Sequence, residues 1–365
     1  MNTEPSGRGE ETKLADYSPL DETLEIMAPM GPELNNGFSN HAPMAIEAMC
    51  AMRRADAATP WFERYRVSLA PRPPRVARLT VDDWRTALGD HRRVEDWFEF
   101  FRNELEERAW PEVLDTWAAR LAPGLMAAAT HGLIRTGHAT RALALEDTAA
   151  RRRELADGLA YWAADYMPLP AERRGPARVM PSQAIGRVQM IPPETRRGNF
   201  GAFTDALAQL DSFPPFKGTL DAVDASGDAH AFLSDLTATF ARVFLANARD
   251  HYTTIAFVHA VTGPSALRPL LPYLRDTVVH EALAYAWQTA AAMYATFGTH
   301  AGLTRIDTDE GKVRDEDELF DRAIACRDEH AIKFTEVCIR EHAYNRDPAF
   351  FAAAGHAIRM LGGAT

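Results

Sequence analysis

The chain has 365 residues, 46% hydrophobic and 25% charged, the balance of a globular protein with length for one large domain or two smaller ones. A formal net charge of −11 with no basic block argues against nucleic acid and anionic membrane surfaces as partners. Three scattered cysteines (Cys50, Cys326 and Cys338) argue against a disulfide framework or zinc ribbon and fit a reducing cytoplasm, and no apolar run reaches the roughly 18 residues of a membrane span.

Met1 to Lys13 is polar and acidic and lacks the apolar centre of a signal peptide. Residues 1–20 read as a flexible tail and 21–365 as one helical domain. Asn40-His41-Ala42-Pro43-Met44 opens a helix over Ala45 to Met52, and Pro71-Arg72-Pro73-Pro74 is a loop. Thr80 to Trp84 has the look of a helix start, with Thr80 as N-cap. Trp84, Trp97, Phe98, Phe100, Phe101, Trp110 and Trp117 recur at helical rather than strand spacings. Helices are expected over Leu114 to Arg120, Leu125 to Leu145 and Glu154 to Tyr166. Met167 to Gly201 is rich in proline and arginine, a long loop or two short turns and a candidate lid.

Helix resumes from Ala231 to His251. Thr253 to Val261 is β-branched and apolar, a buried strand by composition but set among helices, and Gly263-Pro264 should break it. Ser265 to Leu274, Asp276 to Phe297, Arg314 to Glu341 and Pro348 to Leu361 read as further helices. There is no internal repeat and almost no period-two alternation. The expected fold is all-α, most simply a single large helical domain with long Pro/Arg-rich loops.

The histidines carry the chemistry. His91, His230, His300, His342 and His356 lie near charges, turns or helix ends and read as surface or capping residues. His280 and Trp287 share a helix face that reads as core. His131 and His138 are seven residues apart, so they share a helix face with α-carbons roughly 10 Å apart, and Arg135 lies between them. Gly132 and Gly137 flank this face and suggest close packing. His259 stands in the apolar run Ile255 to Val261, and His41 starts a helix. His330 lies one turn after Cys326 and one turn before Lys333. Cys326 reads as a buried structural thiol rather than a nucleophile.

A lone histidine on an apolar face is ordinarily a satisfied core residue. Several on separate segments raise the alternative of a shared metal site, since imidazole suits iron, zinc, copper and nickel. Metalloprotease, ferritin-like and facial-triad motifs are absent, as are dinucleotide, phosphate-loop and nucleophile-elbow motifs. Lys333 inside an apolar helical run needs an explanation, because burying an ammonium costs several kcal/mol unless it is paired or deprotonated. Either Glu329 or Glu336 neutralises it, or the amine is chemically converted.

Four blocks, in this order and spacing, resemble the questin oxidase family. They are Asn40 to Met44, Thr130-His131-Gly132-Leu133-Ile134-Arg135-Thr136-Gly137-His138-Ala139, Phe257 to Pro264 with Leu270-Leu271-Pro272, and Asp328-Glu329-His330-Ala331-Ile332-Lys333-Phe334-Thr335-Glu336. The resemblance implies an oxygenase of secondary metabolism that uses O2 to oxidise or open a ring of an anthraquinone-like aromatic polyketide. It also implies a mononuclear non-haem Fe(II) held by His41, His131, His259, His330 and a carboxylated Lys333. His138 matches a family motif as well, either as a ligand or as a residue working beside the metal. His138 and Arg135 are the candidates for moving a proton or stabilising oxyanion charge. The family label also spans NADPH-dependent enzymes, although no motif here supports NADPH. Two other classes stay open, a metal-dependent hydrolase on a helical scaffold and a metal-free polyketide-binding protein.

Overall fold

The computed structural model describes residues 15–172, 179–195, 203–299 and 315–363. In chain order the helices are α1 (Ser18–Met27), α2 (Ala42–Ala51), α3 (Ala55–Tyr65), α4 (Val94–Glu107), α5 (Trp110–Leu121), α6 (His131–Leu145) and α7 (Ala149–Ala164). There follow the short α8 (Pro181–Ala184) and α9 (Phe203–Leu207), then α10 (Ala229–Asn247), α11 (His251–Ser265), α12 (Asp276–Phe297), α13 (Glu316–Cys326), α14 (Glu329–Tyr344) and α15 (Ala349–Gly362). The fold is all-α, with one small antiparallel pair, β1 (Met30–Leu34) and β2 (Leu69–Pro71), as the sheet among the described residues.

Short polar side chains start four of the longer helices, two of which (α11 and α14) carry site histidines. Thr148, Asp228, Asp250 and Asp328 each accept a first-turn backbone N–H, at the heads of α7, α10, α11 and α14. At α11 the Thr253 side chain returns the bond to the Asp250 backbone and completes a capping box. Helix α6 packs on α7 and α2, while α14 packs on α2, α11 and α15. The aromatics singled out in the sequence form one buried cluster, in which Trp97 and Trp117 meet Trp84, Phe100 and Phe101 at ring-centroid distances of 4.9–6.2 Å.

Several sequence expectations are corrected. Helix α1 starts at Ser18 with Leu20 buried, inside the stretch expected to be tail. Thr80 does not cap a helix; Asp83 accepts its backbone N–H instead, ahead of a single 3-10 turn over Trp84–Ala87. The expected helix from Leu125 is interrupted, because Ala128, Ala129 and Thr130 all have positive φ (47°, 55° and 72°), and α6 begins only at His131. Thr253 to Val261 is helical, and α11 runs through Gly263-Pro264 to Ser265. Pro264 has no N–H to give to the carbonyl one turn back, so α11 forgoes one intrahelical bond there and ends one residue later. Beyond Ser265 the chain makes turns over 266–270 and a short 3-10 helix at Leu271–Tyr273 rather than the expected α-helix. The expected helix from Arg314 to Glu341 is two, parted where Arg327 takes the left-handed conformation. His342 is buried against Phe351 rather than exposed, and His300 lies outside the described residues. The described part of the expected lid makes short turns at Pro181–Ala184, Ile185–Arg187 and Pro193–Thr195; the rest lies outside the described residues.

Candidate metal centre

Four helices bring four histidines to one point. His41 stands at the head of α2, His131 at the head of α6, His259 in the third turn of α11 and His330 in the first turn of α14. All four are buried, and a set of their ring nitrogens, one from each, lies within 4.8 Å of one another. His131 Nε2 is 2.8 Å from His41 Nε2 and 3.1 Å from His259 Nε2. The His330 ring packs edge-on against His41 and His259, at centroid distances of 4.6 and 5.3 Å.

The outer nitrogens fix the tautomers. His131 Nδ1 donates to the Ala128 carbonyl at 2.5 Å, and His259 Nδ1 donates to the Ile255 carbonyl at 2.7 Å. A carbonyl only accepts, so each Nδ1 carries the proton and each Nε2 presents a lone pair. Two lone pairs thus oppose each other across 3.1 Å. A proton between them would create a buried imidazolium. Burial, together with the charges of Lys333 and the neighbouring histidines, holds His41, His131 and His259 well below the usual imidazole range. A metal cation resolves the conflict without that cost. Two nitrogens about 2.1 Å from one ion and at right angles to each other lie about 3 Å apart, the spacing found here. The donor set therefore fits a metal, and carbonyl-oriented imidazoles are the usual surroundings of one.

Lys333 lies one turn beyond His330, is 1% exposed, and its Nζ has no hydrogen-bond partner. Burial pushes the ammonium down to about 7, against the pull of Glu329 and Asp328. Neither expected salt bridge forms. Glu336 is taken by Arg141 and Arg340, and Glu329 faces His41 Nδ1 at 3.7 Å and His330 Nδ1 at 3.9 Å.

The other two expected site residues lie outside the four-histidine group. His138 Nδ1 is bonded to Glu47 Oε2 at 2.6 Å. Glu47 also accepts from Arg141 and from the Tyr17 hydroxyl; although burial alone would raise its pKa, Arg141 and His138 hold it well below the usual carboxylate range. Arg135 is buried in a fork with Glu154 at 2.6 and 2.7 Å, with Asp157 at 3.2 Å, and so ties α6 to α7. The close packing expected at the glycines is present. A Cβ on Gly132 would lie 2.5 Å from Trp162 Cα, and one on Gly137 would lie 2.6 Å from the Ala266 carbonyl oxygen.

Glu47 is the site residue that sequence reasoning missed, while Glu329 figures there only as a partner of Lys333. Glu47 had a signal, a lone carboxylate inside the apolar run of α2. The left-handed backbone before His131 had none, since alanine and threonine do not mark such positions.

No curated protein matches the chain. Residues 38–194, the region matched by a family model, hold His41, His131, His138, Arg135 and Glu47, while His259, His330 and Lys333 lie beyond it. Over residues 38–194 the chain matches the questin oxidase-like family, the family its four sequence blocks resemble.

Proposed function

We propose that this protein is an oxygenase that oxidises or cleaves a ring of an anthraquinone-like aromatic polyketide with dioxygen at a single non-haem iron. The observation that carries the metal is the convergence of four buried imidazoles with two lone pairs opposed across 3.1 Å. The match to the questin oxidase-like family supports the reaction class and the substrate class.

His41, His131, His259 and His330 would hold the ion, and Lys333, once carboxylated, would add an anionic oxygen donor. Bound there, iron(II) supplies the one-electron chemistry that lets a closed-shell aromatic ring react with dioxygen. The chain's own contribution is orientation and exclusion of water. The Ala128 and Ile255 carbonyls pin two imidazoles, and Glu329 faces two more. An unpaired buried amine suits carboxylation, because a neutral amine is the form that adds carbon dioxide. Arg135, paired with Glu154 and Asp157, acts as a positioning residue that holds α6 in register.

The test is metal analysis of protein purified without added metal, with oxygen uptake measured on a polyhydroxyanthraquinone. Stoichiometric iron and substrate-dependent oxygen consumption are expected. Zinc without oxygen uptake would instead indicate a hydrolase, and no metal would indicate a binding protein. Lys333→Ala should lose most of its iron together with activity; full iron occupancy in that variant would remove Lys333 from the ligand set.

A further inference from the structure

A small cavity lies between α6, the end of α11 and α14. His138, Arg141, Lys333 and Arg340 border it, with Ile134 and Val337 among its apolar walls. It leaves 10 Å³ for the centre of a water-sized molecule, which is room for one small molecule and far too little for an aromatic polyketide. Two features make it more than a packing defect. Lys333 Nζ is buried without a partner. His138, 7% exposed, has its proton fixed on Nδ1 by Glu47, which borders a neighbouring cavity but not this one. The carboxylate sets the tautomer and leaves the opposite ring edge, with the Nε2 lone pair, as the basic atom of His138.

We propose that this cavity admits carbon dioxide to Lys333 and that His138, oriented by Glu47, is the base that takes the proton released when the lysine is carboxylated. The inference rests on the reading of Lys333 as a carboxylated ligand. In the step, the neutral Nζ attacks the carbon of carbon dioxide. An N–C bond forms, one C=O π pair becomes a carboxylate lone pair, and an N–H proton passes to His138 Nε2, directly or through one water. The products are a carbamate anion and an imidazolium, so the buried region gains no net charge. Glu47 already faces the imidazolium, and Arg141 and Arg340 border the side on which the new anion forms.

The test follows carboxylation itself rather than turnover. Full-length protein is stripped of metal in carbon-dioxide-free buffer. It is then given zinc, a diamagnetic stand-in, with 13C-bicarbonate, and carbamate growth is followed by 13C NMR. Wild type should show a carbamate signal that Lys333→Gln lacks. His138→Asn and His138→Gln should carboxylate at least about tenfold more slowly, at the low end of what a positioned base supplies. They should also reach the wild-type amplitude at saturating bicarbonate with zinc bound, a rescue that a merely structural role would not give. Wild-type rates in both variants would overturn the proposal and leave the cavity to water. Loss of zinc together with the signal would overturn it too, by making His138 a structural or ligand residue. Absence of any carbamate in wild type would remove the carboxylated ligand as well, whereas an unchanged rate in the variants leaves that ligand standing.

Discussion

Three consecutive left-handed residues stand directly before His131. Such a conformation costs an L-residue roughly 1–2 kcal/mol, and it persists only where the surroundings enforce it. Here the enforcement is visible. The Ala128 carbonyl is turned onto His131 Nδ1, and Thr130 packs where a Cβ on Gly263 would lie 3.1 Å from it. Gly132, one residue further on, lets α6 lie against Trp162. Gly132→Ala should therefore destabilise the protein by about 1–3 kcal/mol through overpacking, read as a lower urea midpoint with an unchanged slope. An unchanged midpoint would mean that the α6–α7 contact yields easily. At this scale the sequence was legible where chemistry is unusual for its setting. His131, His259, His330 and Lys333 stand out because they interrupt apolar helical runs. The partners of those groups are less legible, since Glu329, one of two carboxylates within reach of Lys333 along the helix, faces His41 and His330.

At the scale of elements, α14 matters most, since it carries His330 and Lys333 within its first five residues. Its position depends on Asp328, whose carboxylate accepts from the backbone N–H of His330 at 2.8 Å and of Ala331 at 3.1 Å. Asp328→Ala should cost about 0.5–2 kcal/mol. It should also weaken metal retention, because the frayed turn is the one that presents His330. Paired chemical denaturation and metal-competition titrations would check this, and unaltered retention with lowered stability would separate the cap from the site. Pattern reading placed α12 over Asp276–Phe297, where it is found, because a long apolar-periodic run is unambiguous. It joined α13 to α14 because Arg327 gives no sign of a left-handed turn, and it passed over β1 and β2, which are too short to show alternation.

Across the whole molecule a chain of buried and half-buried charges links these helices. His138, Glu47, Arg141, Glu336, Arg340, Glu341 and Arg268 follow one another through ion pairs from α6 and α2 to α14 and the turn after α11. Burial alone would raise the Glu336 pKa, but Arg141 and Arg340 overcome it and bring it down to about 2 from an ordinary 4.5. A depressed carboxylate contributes stability that is complete above its unfolded value and is lost as pH falls through its folded one. Stability should therefore drop between about pH 4.5 and 2, by about 3 kcal/mol from this group. Tryptophan fluorescence during urea titrations at stepped pH would show it, and Glu336→Gln should start less stable and flatten the profile. The four histidines add a consequence of another kind. His41 and His131 are 90 residues apart, His131 and His259 are 128 apart, and His330 comes later still. No local segment holds even two of them. An ion held by all four would close loops of 90 residues and more, so its loading would belong to a late stage of folding. A ribosome must release the chain through His330 before the centre can exist.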